Sequence, residues 1–192
     1  MQKRYEGRYR SATTWLRGYD YASAGWYHVV LCTQDRVCWF GEIRNGIVGL
    51  SPVGCIAYRN CAAIPDHFDH AVVDAFIIMP NHVHAILGLT APLTDRRSDA
   101  RSRVAIGNEH SSTKVKANAF GPLEPGALPT VVHAYKGSVT RWARRNGYDA
   151  FAWQPRFYDR VIRNERELIA TRQYVLANPR QWTQDRNHPE RT

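Results

Sequence analysis

Two runs of strand-forming residues, 71–79 and 82–89, stand back to back with only Pro80 and Asn81 between them. Proline presets the backbone for a turn and asparagine tolerates the tight conformations turns require, so the runs read as neighbouring strands of one sheet. Side chains at i and i+2 of a strand point to the same face, which sets the imidazoles of His82 and His84 side by side while Val83, Ala85 and Leu87 pack beneath. Two neutral imidazoles on one face are half a metal site; two ordinary histidines on a half-exposed sheet would show the same spacing.

The remaining elements follow from local pattern. Residues 25–33 (Gly25 to Thr33) are rich in β-formers and predict a buried central strand. A shorter hairpin is expected from Val37–Phe40 and Ile47–Leu50 around Arg44-Asn45-Gly46. Ser51 as cap and Pro52 at the first helical position predict a helix to about Asn60. Leu128-Pro129-Thr130 opens a second helix through about Arg145, with Val131, Val132, Tyr135, Val139 and Trp142 at helical spacing. Trp153 to Val161 reads as extended. Asn164 then caps a third helix, Glu167 completes an asparagine variant of the capping box, and Asn178-Pro179 ends it. This order suits an α+β two-layer sandwich, an antiparallel sheet with helices on one face and the last helix trailing.

The chain has 192 residues, enough for one domain with an insertion. Residues 1–24 set Arg4, Arg8, Arg10 and Arg17 among aromatic residues without a clean period and read as a basic arm preceding a domain over 25–192. Residues 91–127 carry Arg96, Arg97, Arg101, Arg103, Lys114 and Lys116 among prolines and glycines, the texture of a basic, mobile insertion. Net charge is +9, and of the 26 basic residues only Lys3, Lys114, Lys116 and Lys136 are lysines. Arginine grips phosphate with a flat fork and stacks on bases, so the balance points to a nucleic-acid partner. No apolar run approaches the ~20 residues that span a bilayer and no apolar stretch follows the N-terminus, so a cytoplasmic protein without a membrane partner is expected. Cys32, Cys38, Cys55 and Cys61 lack the short spacing of zinc knuckles and read as reduced packing residues.

The third helix carries a tyrosine off its packing face. At ~100° per residue, Leu168, Ile169, Arg172, Val175 and Leu176 form a packing stripe, whereas Tyr174 falls nearly opposite, on a face with Glu167 and Asn178. A core tyrosine would sit in the stripe. The residue four positions on is an amide whose oxygen can ligate a hard metal ion.

Taken together, His82-Val83-His84 after Met79-Pro80-Asn81, and Tyr174-Val175-Leu176-Ala177-Asn178-Pro179 near the C-terminus, resemble the single-tyrosine HUH transposases, in particular the REP-associated tyrosine transposases. Arg17-Gly18-Tyr19-Asp20-Tyr21, Tyr27-His28-Val29, Trp153-Gln154 and Ile162-Arg163-Asn164-Glu165 also fall where that family has similar runs, whereas 91–127 matches nothing in it. The resemblance implies a ferredoxin-like fold in which His82, His84 and Asn178 hold one Mg²⁺ or Mn²⁺ and Tyr174 attacks a phosphate of single-stranded or hairpin DNA. The product would be a 5′-phosphotyrosine link and a free 3′-hydroxyl, in a monomer or homodimer.

Two departures stand out. Related proteins often have Glu-His or Asp-His where this chain reads Asp159-Arg160, so a proton-handling histidine is exchanged for a phosphate-binding cation; Arg160 and Arg163 join the arm as candidate DNA contacts. Asn178 stands where wider relatives use glutamine. Three alternatives stay open at this level: Tyr158 as a rival nucleophile, a domesticated DNA-binding protein of the same fold without catalysis, and an undetermined facing for His28. A two-histidine phosphoesterase needs two His-x-Ser/Thr motifs, and the chain offers one, His110-Ser111-Ser112.

Overall fold

The computed structural model describes residues 19–90 and 126–191. The arm arginines Arg4, Arg8, Arg10 and Arg17 lie outside the described residues, as does the insertion up to residue 125.

In chain order the elements are β1 (Gly25–Cys32), β2 (Gly41–Arg44), β3 (Ile47–Leu50), α1 (Pro52–Ala62), the single turn α2 (Ile64–His67), β4 (Ala71–Ile78), β5 (His82–Leu89), α3 (Leu128–Arg145), β6 (Tyr158–Ile162) and α4 (Glu165–Ala177). The main sheet has the order β4-β5-β1-β6 and every pairing is antiparallel. With α1 between β1 and β4, and α3 between β5 and β6, this is the β-α-β-β-α-β arrangement of a ferredoxin-like fold. The small hairpin of β2 and β3 is a separate ribbon.

Strand parity divides the side chains between the two faces. Tyr27, Val29 and Leu31 of β1 and Val83, Ala85 and Leu87 of β5 enter the main core, which α1 and α3 cover through residues such as Val53, Ala57, Val131 and Val139. Tyr135 ties the two helices together by donating its hydroxyl to the carbonyl of Ala57 at 3.1 Å. On the opposite face Ile86 and Ile162, with Trp26, Ala75 and Ile77 beside them, pack against Leu168 and Val175 of α4. The helices α1 and α3 thus share one face as expected, and the trailing helix covers the other. Being sandwiched between two layers, β5 is buried at every position.

Local chemistry explains the boundaries. Ser51 caps α1 by accepting from the backbone N–H of Gly54 at 3.0 Å, and Asn164 caps α4 by accepting from that of Glu167 at 2.9 Å. Asn45 and Gly46 both have positive φ, +52° and +74°, the two-residue turn whose twist suits a hairpin. That turn pairs Arg44 with Ile47 and makes Gly41–Arg44 the first strand of the ribbon. The segment Val37–Phe40 expected there stays outside the ribbon: Val37 and Cys38 are exposed, whereas Phe40 is fully buried with its N–H bonded to the carbonyl of Pro80. Trp153 likewise makes only an isolated bridge to Thr33, so the last strand is shorter than its β-formers suggest. All four cysteines are free; Cys61 is buried in the core, whereas Cys38 and Cys55 are exposed rather than packed.

Candidate active site

The face covered by α4 carries the histidines. Because β1 pairs with β5 and β6, His28 lies opposite Ile86 and Arg160, which settles its facing: its ring stacks on that of His84, with centroids 5.2 Å apart. His82, His84 and His28 are all buried and linked in a chain. His82 Nε2 is 3.0 Å from His84 Nε2, and His84 Nδ1 is 3.1 Å from His28 Nε2.

Proton positions in this chain can be reasoned from its ends. Asn81 donates its amide N–H groups to the carbonyls of Arg36 at 2.9 Å and Asn187 at 2.8 Å, so its Oδ1 faces His82 Nδ1, 2.8 Å away. An amide oxygen only accepts; His82 Nδ1 therefore carries the proton and Nε2 presents a lone pair toward His84. Without a cation, the neutral chain is satisfied when His84 Nε2–H donates to His82 and His28 Nε2–H donates to His84 Nδ1. Moving the His84 proton to Nδ1, with His28 Nε2 accepting, leaves two lone pairs facing each other across 3.0 Å, an arrangement that calls for a positive charge. Protonation does not easily supply it. Burial pushes His82 and His28 down to about 4 and holds His84 well below the usual histidine range, with Arg186 adding to the depression at all three.

A divalent cation would supply it. Two ligands about 2.1 Å from one ion and at right angles are ~3.0 Å apart, which is the separation found. Asp185 adds a carboxylate, Oδ2 lying 3.8 Å from His82 Nε2, and ligand atoms of His82, His84 and Asp185 all fall within 4.8 Å of one another. Asn178 is buried with its Oδ1 lacking any hydrogen-bond partner, the state of an oxygen reserved for something else. Two imidazole nitrogens with a carboxylate oxygen nearby are a donor set that could hold a divalent cation.

Tyr174 belongs to the same cluster and the same chain. Its ring meets His84 edge to face with centroids 5.5 Å apart and His28 at 6.0 Å, while 44% of the residue stays exposed. Backbone dihedrals remain helical at Asn178, so the amide sits one turn further along this face of α4. Tyr158 points from β6 to the same side of the sheet, opposite Val30, but its ring carries the guanidinium of Arg186 at 5.2 Å. Arg160, opposite His28, has a half-exposed guanidinium 3.6 Å from Glu167; Arg163 is exposed at the end of β6. Asp159 turns to the other face, where the hydroxyl of Tyr21 donates to it at 2.6 Å.

A structure of a REP-associated tyrosine transposase bound to a REP hairpin superimposes with a TM-score of 0.54, covering 87% of this chain and 73% of that one at 16% identity. The chain shares the fold of a REP-associated tyrosine transposase. An uncharacterized protein of Haemophilus influenzae is 28% identical over 170 residues, 88% of each chain. No protein-family model matches.

Of the residues singled out in the sequence, His82, His84 and Tyr174 lie together in this fold and Asn178 is buried; Asp185 and Arg186, which lie near His82, and the contact of Asn81 with it were not among them. Asn81 was legible as a neighbour of His82. Nothing marks Asp185 beyond its place in the tail after Asn178. It arrives because residues 185–188 are strapped over the start of β5: Asn187 bonds to Asn81, and Arg36 donates to the carbonyl of Arg186 at 2.6 Å. Among the described residues no helix is long and apolar enough to cross a membrane.

Proposed function

We propose that this protein cleaves and rejoins single-stranded DNA through a covalent link to Tyr174, as a transposase of the REP-associated tyrosine type. The observation that carries the reading is the meeting of Tyr174 with His84 beside two facing imidazole nitrogens and the Asp185 carboxylate.

His82, His84 and Asp185, with Asn178 as a further oxygen donor, would hold Mn²⁺ or Mg²⁺. When bound, the cation offsets the charge that builds on a phosphate under attack and fixes the phosphate's orientation. The residues of the chain do the rest. Asn81 holds His82 in one tautomer, and His28 accepts the Nδ1 proton of His84, so both Nε2 atoms face the ion. Tyr174 Oη forms a bond to phosphorus as the bond from phosphorus to the 3′ oxygen breaks. The phenolic proton is released, the 3′ oxygen takes one up, and a phosphodiester is exchanged for a phosphotyrosine without ATP.

Arg186, close enough to depress all three histidines, and Arg160 supply positive charge for the flanking phosphates. A hairpin as substrate is supported by the hairpin bound to the structural neighbour and by the arginine-rich composition. The test is incubation with labelled hairpin DNA and Mn²⁺, followed by a denaturing gel. A protein–DNA adduct lost in Tyr174→Phe supports the reading; DNA binding with no adduct under any divalent cation favours a domesticated binding protein.

A further inference from the structure

The helix that carries Tyr174 is seated in an unexpected orientation. Its most apolar stripe is centred between Leu168 and Ile169, yet Ile169 and Leu176 are left 45% and 64% exposed. The side chains that reach the sheet are Leu168 and Val175, with Asn178 buried next to them. At ~100° per residue this is a roll of roughly 70° from the orientation that would bury the apolar side chains best. A helix held by hydrophobic packing alone would turn the other way.

One contact opposes that turn. Arg172 makes a two-pronged bridge to Asp74, Nε to Oδ2 and Nη2 to Oδ1, each 2.6 Å. Asp74 is the extra residue of a β-bulge in β4: Val73 pairs with Leu87 and Ala75 with Ile86, so Asp74 has no partner on β5. Bulges re-aim side chains, and this one brings a carboxylate, 13% exposed, beneath the helix. Arg172 and Tyr174 flank the buried line of α4 on opposite sides. Arg172 is tied to β4 on one side of that line and Tyr174 meets β5 and β1 on the other, so keeping Arg172 out over β4 stops it from swinging under the helix and holds Tyr174 at His84.

We propose that Asp74 and Arg172 are positioning residues, a bulge-mounted clamp that holds α4 rolled against its hydrophobic preference so that Tyr174 stays on His84. The proposal rests on Tyr174 being the nucleophile only for its consequence in catalysis; the contact itself can be read separately. Without the clamp, α4 rolls to bury Ile169 and Leu176, and Tyr174 leaves the histidines.

The test uses the full chain with ¹³C-labelled histidine and reads the ring resonances of His84, which the edge-on Tyr174 ring perturbs, alongside the single-turnover rate of adduct formation. Tyr174→Leu gives the reference for a lost contact. In Asp74→Ala the His84 resonances are expected to move to that reference. Adduct formation should slow roughly tenfold to a hundredfold, the scale of misplacing a reacting group by about an ångström, with DNA affinity within twofold of the parent. Adding Ile169→Gln and Leu176→Gln to Asp74→Ala removes the drive to roll and should return the resonances toward the parent. Should Asp74→Ala fail to fold, Arg172→Lys, which keeps the charge and loses the fork, is read the same way.

His84 resonances unchanged in the clamp variants, or still displaced after the two glutamine substitutions, would overturn the proposal. If the parent protein forms no adduct at all, the functional reading fails while the resonances still decide the clamp.

Discussion

Tyr174 on the last helix and His84 on the inner strand of the β4–β5 hairpin meet edge to face at 87°, although the whole of α3 and β6 lies between them in the chain. Neither residue is notable alone. Their contact places a phenol next to the candidate cation site of His82, His84 and Asp185, and the sharpest expectations concern that junction.

Replacing Tyr174 by Phe keeps the ring and its packing and removes only the hydroxyl. Adduct formation is expected to vanish while hairpin binding stays within about twofold, since the hydroxyl is spent in the chemical step. Tyr158→Phe, whose parent ring supports Arg186, should still form the adduct. The measurement is the labelled-DNA gel; exchange of the two results would reassign the nucleophile.

Binding of Mn²⁺ followed by electron paramagnetic resonance should separate the ligands. His82→Ala with His84→Ala is expected to abolish binding. Asp185→Asn should weaken it by about tenfold or more without DNA, because the carboxylate is the charged donor of the set, and Asn178→Ala by less. Equal affinity in Asp185→Asn would mean that the carboxylate serves only to hold the tail.

The buried histidines predict the course of acid unfolding. His28 and His82 have folded values near 4 against an unfolded value of about 6.5, so between these limits the unfolded chain binds more protons. Stability of the metal-free protein should therefore be full above about pH 6.5 and fall as pH drops toward 4, by up to ~1.4 kcal/mol per unit for each histidine. Chemical denaturation at a series of pH values would show this slope. In His28→Phe, which keeps an aromatic ring without the titrating nitrogens, the slope should be shallower.

The arginines of residues 1–17 are assigned to the DNA backbone on composition alone. If Arg4, Arg8, Arg10 and Arg17 each neutralise one phosphate, deletion of 1–17 should weaken hairpin binding and flatten the plot of log affinity against log salt by about 3 units. An unchanged slope places the arm away from DNA.

Much of this architecture was legible in the residues themselves. The period of two in β5 put His82 and His84 on one face, Ser51 and Asn164 marked the helix starts, and the four-residue spacing of Tyr174 and Asn178 put them one turn apart. Each is a relationship within a single element, where backbone geometry alone fixes which side chains share a side. The same rule misjudged α4, because a helix turns toward whatever holds it most strongly. Ile169 and Leu176 stay exposed while Arg172 is paired with Asp74, and nothing in the helix's own sequence reports the bulge in β4 that carries this carboxylate.

The sequence by itself determined the paired histidines, the helix that carries the tyrosine and the order of strands and helices that closes into this sheet. Tertiary structure decided the rest: that α4 covers the face opposite α1 and α3, that His28 supports His84, and that Asp185 reaches His82 from a tail strapped by Asn81 and Arg36. These contacts join residues far apart in the chain. Their existence depends on how whole elements stack and where the chain returns, which local periodicity does not encode.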